Sequence, residues 1–179
     1  MSTESPTRFD RLAETASRYG QASLENYALI RSFAEQLSEG FCRYLGDKKK
    51  CVWLVPPEGA WLPQNYGSGA FSVSGKGFLP LAPISFGLAV RVSHTGDWIR
   101  IVVSAAKQGP DLDVAIAGGP DFDFRLPLSP ERLGEFFDAL YAHLTNYFKE
   151  AADHFESGSY GGRDIGFDFT HTETEPPAA

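Results

Sequence analysis

The sequence predicts an α+β domain, an antiparallel β-meander with one face covered by long N-terminal and C-terminal helices. Three observations predict it. Apolar residues recur at helical spacing before residue 46 and again after residue 130. From Ile84 to Leu128 they alternate instead with polar or small residues. The alternating runs are joined by short segments rich in Gly, Pro and Asp, which suit hairpins and not crossovers.

In the first helical region, Tyr27, Ile30, Ala34, Leu37, Phe41 and Tyr44 share one face. Phe9, Ala13 and Ala16 continue that register upstream. Gly20 and Ser23 interrupt it, so the pattern fits either two helices or one long helix weakened near Gly20. Ser5-Pro6 suits an N-cap followed by proline at the first helical position. Gly46 supplies a left-handed C-cap. Lys48, Lys49 and Lys50 follow where the helix dipole favours positive charge.

Cys51-Val-Trp-Leu-Val55 reads as a short strand stopped by Pro56-Pro57. The stretch from Pro56 to Pro83 is rich in Gly, Pro and aromatics, and only Ala70–Ser74 within it alternates like a strand. Long irregular stretches are uncommon inside a compact domain and are often functional.

In the meander, Ile84, Phe86, Leu88, Val90 and Val92 face one way. A two-residue loop at Thr95-Gly96 sets Val90 opposite Ile101 and Leu88 opposite Val103, so apolar meets apolar. The same register sets Arg91 opposite Arg100 on the outer face. Like charges there need a neutralising partner, for which Asp113 and Asp123 are the candidates. The rest of that face is small: Ser85, Gly87, Ala89, Ser104, Ala106 and Ala115. Small residues let another layer approach closely, and the aromatic 56–83 stretch is one candidate for that layer.

Ser129-Pro130 starts the second helix, whose stripe includes Leu133, Phe136, Phe137, Leu140 and Leu144. Beyond Glu156 the chain turns Gly-rich, and Ile165, Phe167 and Phe169 allow a short extra strand. The organisation expected is a single α+β domain over residues 1–169, frayed over 1–7, with a disordered C-terminal tail over 170–179.

Charge and motifs narrow the function. The net charge of −7 excludes a general nucleic-acid binder. It is unevenly spread, with +3 on residues 1–107 and −10 on residues 108–179. No apolar run is long enough for a membrane span, and no secretory signal opens the chain, so a cytoplasmic protein is expected. In that reducing setting Cys42 and Cys51 read as free thiols. His143 and His154 share a helix face but lie roughly 16 Å apart along it, too far to share a metal. Gly69–Gly77 misses a phosphate loop, with one residue too many between its glycines and Gly77 in place of the magnesium-binding hydroxyl. The carboxylate pairs Asp111/Asp113 and Asp121/Asp123 fall in turns and on outer strand faces. No catalytic residue, metal ligand or cofactor is assigned.

The function expected is a non-catalytic cytosolic binding or protein-interaction module, monomeric or homodimeric, with an unidentified protein or small ligand as partner. The alternative is a small-molecule-binding protein or enzyme with an aromatic pocket between sheet and helices. The contact residues expected are Trp61, Tyr66, Lys76 and Phe78 in the aromatic stretch, with Arg91 and Arg100 on the sheet. Trp and Tyr offer contact area at low entropic cost, and Lys76 stands between two glycines with its charge available.

Overall fold

Thr7, and not Ser5, opens the first helix in the computed structural model, which describes residues 4–75, 79, 81–158 and 167–172. The Thr7 hydroxyl accepts from the Asp10 N–H at 3.1 Å, and the Asp10 carboxylate accepts from the Thr7 N–H at 2.7 Å. This reciprocal box satisfies two otherwise unpaired groups, which Ser5 could not do with Arg8 three residues on. Helix α1 then runs from Arg8 to Leu45, 38 residues without a break. Gly20 therefore does not divide it. One interior glycine costs about 1 kcal/mol, less than a second pair of helix ends would cost in unpaired backbone. Gly46 ends the helix with φ of 78° and donates its N–H to the Arg43 carbonyl.

The two cysteines are not free thiols. Cys42 and Cys51 are joined in a disulfide, with Cα atoms 5.5 Å apart. The left-handed turn at Gly46 reverses the chain, so the residue preceding strand β1 (Val52–Val55) lies beside the last turns of α1. Their spacing in sequence, together with the expected reducing compartment, concealed this pairing.

The sheet is an antiparallel meander of β1, β2 (Ile84–Arg91), β3 (Asp97–Gln108), β4 (Asp111–Ile116) and β5 (Asp121–Arg125). A sixth strand, β6 (Asp168–His171), pairs antiparallel with the first four residues of β3. β4 covers only Val103–Gln108 of that same edge, and β6 fills the part that β4 leaves open. The strand therefore includes Thr170 and His171, the first two residues of the expected tail. The expected strand over Ala70–Ser74 is instead a 3-10 turn at Gly67–Ala70, followed by one bridge from Phe71 to Phe86.

The β2–β3 register differs from the expected one by two residues. Val90 faces Ile99, Leu88 faces Ile101 and Phe86 faces Val103. The connection is the longer loop Ser93–Gly96, because the Asp97 carboxylate accepts from the Ser93 hydroxyl at 2.8 Å and the Ser93 hydroxyl accepts from the Asp97 N–H at 2.9 Å. A two-residue slip keeps every side chain on its face, so apolar still meets apolar. It also separates the two arginines. Arg91 lies opposite Trp98, and Arg100 lies opposite Ala89.

One buried cluster joins Ile30, Phe33, Leu37 and Phe41 of α1 with Phe86, Leu88, Val90, Ile101, Val103, Val114 and Phe124 of the sheet. It also takes in Phe136, Leu140 and Leu144 of helix α2 (Pro130–Ser157). Leu126 is only partly buried at its margin. The Ser129 hydroxyl caps α2 by accepting from the Arg132 N–H, with Pro130 as the first helical residue. Gly134 sits inside α2, and a methyl group added there would meet nothing within 4 Å. Gly134→Ala is therefore expected to raise stability by about 0.5–1 kcal/mol in urea unfolding. No gain would mean that α2 has a neighbour at Gly134.

Candidate functional site

The opposite face of β1–β3 carries a second, smaller cluster. Val55, Trp61, Ala89 and Trp98 are buried together, with Trp53 and Tyr66 packed against them. Gly87 explains how the chain leaving β1 can cross so close to the sheet. A Cβ on Gly87 would stand 2.9 Å from the Val55 carbonyl oxygen and 3.0 Å from that of Pro56. Of the small outer-face residues, Gly87 and Ala89 thus receive the first part of the aromatic stretch as their covering layer, whereas Ser104, Ala106 and Ala115 line an open cleft.

This arrangement places the residues singled out from the sequence. Trp61 is 7% exposed and belongs to that covering layer. The Tyr66 hydroxyl oxygen accepts from the Leu62 N–H at 3.0 Å and so braces the same loop. Arg100 is also 7% exposed. Its Nη1 donates to the carbonyls of Gly59 at 2.8 Å and Pro56 at 3.1 Å, and its Nη2 pairs with Asp168 of β6. Asp168, and not Asp113 or Asp123, supplies the neutralising charge. Arg100 therefore ties the loop after β1 to the strand near the end of the chain. Arg91 pairs with Asp47 in the α1–β1 loop, and its guanidinium holds the Asp47 carboxyl below the usual carboxylate range. Lys76 and Phe78 lie outside the described residues. Four of the six are thus seen, and two of those are nearly sealed from solvent.

Trp53 and Trp61 are not placed between sheet and helices. Both lie in the cluster on the far side from the helix-containing core. Among the described residues, no group of three or more His, Cys, Asp and Glu side chains is disposed to hold a metal ion.

Large exposed apolar side chains lie elsewhere, at Phe155 near the end of α2 and, as a group, on the first half of α1. Phe9 is 73% exposed, Leu12 66% and Leu24 61%. Ser23 is the first buried residue of the helix and the Tyr19 hydroxyl accepts from the Leu81 N–H at 2.8 Å, so the residues before Tyr19 extend about 16 Å past the body. Phe9, Leu12, Ala13, Ala16, Tyr19, Gly20 and Ser23 occupy an arc of roughly 120°. That arc continues the face which buries Ile30, Ala34, Leu37 and Phe41 further along. Phe9, Ala13 and Ala16 were legible as part of the stripe. The burial of its downstream half and the exposure of its upstream half were not, because periodicity records a face without recording what lies against it.

No family model, curated protein or solved structure matches this chain. No helix among the described residues is long and apolar enough to cross a membrane.

Proposed function

We propose that this protein is a non-catalytic protein-interaction module that self-associates through the first half of α1. The observation that carries this reading is the stripe that serves as core in the second half of α1 and continues, exposed, past the body. A face of that width on a well-capped helix is suited to another helix.

The occupant proposed is a second copy. In an antiparallel pair with its two-fold axis at Ala16, Leu12 lies against Gly20 and Ala13 against Tyr19, while Ala16 meets its own symmetry mate. Such an isologous contact closes on itself and stops at two copies. The helix pair buries on the order of 1,000 Å², at the lower end of specific interfaces, so micromolar self-affinity is expected. The disulfide supports a setting more oxidising than the cytoplasm.

Sedimentation equilibrium over micromolar to millimolar protein is expected to show a monomer–dimer equilibrium. Ala16→Glu places two carboxylates face to face at the axis while keeping a good helix former. It is expected to shift the chain to monomer with unchanged far-ultraviolet circular dichroism. A monomer at every concentration, or a dimer indifferent to Ala16→Glu, would refute the reading.

A further inference from the structure

At the other end of α1, the α1–β1 loop and the β2–β3 hairpin enclose an open cleft of about 600 Å³. Leu45 and Val92 contribute apolar surface to it. Lys48 and Lys49 line it from one loop, His94 from the other, and Arg91 from the end of β2. A neighbouring groove of about 500 Å³ shares Lys48 and Lys49 and adds Arg43 and Lys50. Cations therefore gather at one end of a chain whose net charge is −7.

Two anionic groups stand against them. Asp47 accepts from Arg91 Nη2, and Glu39 borders the neighbouring groove. The C-terminal end of α1 adds roughly half a negative charge. Five cations outweigh these. Arg91 also retains donors, because its Nε and Nη1 have no acceptor among the described residues. Its side chain is 12% exposed. A guanidinium already fixed by one carboxylate, with a free edge on a cleft, is preorganised for a second oxyanion.

We infer that this cleft is a binding site for a small ligand bearing a terminal oxyanion, a phosphate or a carboxylate. Arg91 supplies the directional hydrogen bonds. Lys48 and Lys49 supply charge, and Leu45 and Val92 accommodate an apolar stem. The disulfide between Cys42 and Cys51 closes the loop carrying both lysines, so they are held near Arg91 before any ligand arrives.

The test is a ¹H–¹⁵N NMR titration of the full chain at low ionic strength, with sodium phosphate in one arm and sodium butyrate in the other. Saturable shifts centred on residues 45–51 and 91–95 are expected, with Kd of about 1 mM or tighter. Saturation by phosphate alone assigns a tetrahedral oxyanion, and saturation by butyrate alone a carboxylate on an apolar stem. Saturation by both assigns a general oxyanion site. The variant K48Q/K49Q leaves the Arg91–Asp47 pair in place and is expected to bind at least tenfold more weakly, with an unchanged thermal midpoint. No saturable shift with either salt, shifts scattered over the surface, or equal binding by K48Q/K49Q would overturn the inference. The self-association described above uses the far half of α1, so either result stands without the other.

Discussion

Phe136→Ala is expected to cost about 3–5 kcal/mol in urea unfolding. The Phe136 side chain is fully buried, and its ring lies 5.3 Å from that of Phe122 and 5.7 Å from that of Phe124, centroid to centroid. Phe33 of α1 meets the same Phe124 ring at 5.1 Å. Removing Phe136 therefore opens a cavity where α2, β5 and α1 converge. Aromatic contacts beyond simple area burial are lost as well. A loss under 1 kcal/mol would mean that the site collapses freely and that α2 is not held by this contact.

Arg100→Ala is expected to cost about 3 kcal/mol, for a different reason. Two backbone carbonyls, those of Pro56 and Gly59, lose a charged donor in a site that water scarcely enters. The pair with Asp168 contributes less, because Asp168 is more than half exposed and is screened. Asp168→Asn is accordingly expected to cost under about 1 kcal/mol. Tryptophan fluorescence separates the two variants. Loosening of the loop carrying Trp61 should shift emission to the red in Arg100→Ala and leave it nearly unmoved in Asp168→Asn. Equal losses in both variants would place the energy in the ion pair and not in the carbonyl contacts.

Secondary structure was legible where local rules decide it. The stripe from Tyr27 to Tyr44 and the Ser129 cap are set by residues within one or two turns. The Gly46 turn and the inner face of β2 are as local. Partnerships across the chain were less legible. Thr95-Gly96 is acceptable hairpin chemistry, yet the side chains of Ser93 and Asp97 stabilise a longer loop, and composition does not rank the two. Arg100 was marked by an apparent like-charge clash. Its real partners are 41 to 68 residues away in sequence, at Gly59 and Asp168, and no spacing rule points to them. The aromatic stretch was recognised as a layer in search of a surface. Burial of Trp61 against Ala89 and Trp98 then removed most of the area that a partner would have used. The cationic cleft escaped notice because Lys48 and Lys49 come from one loop, whereas Arg91 and His94 come from another.

The way β6 completes β3 bears on the order in which the chain is made. Trp98 Nε1 donates to the Thr172 hydroxyl across 74 residues of sequence, and the Thr172 N–H donates to the Gly96 carbonyl. During synthesis the start of β3 emerges long before the segment that pairs with it. Throughout that interval its backbone groups stand unpaired beside Trp98 and Ile99, an edge open to strands from other nascent chains. Arrival of residues 168–171 replaces that edge with a strand only four residues long. The aggregation hazard is therefore greatest while the ribosome is still translating α2, and it subsides once β6 has docked.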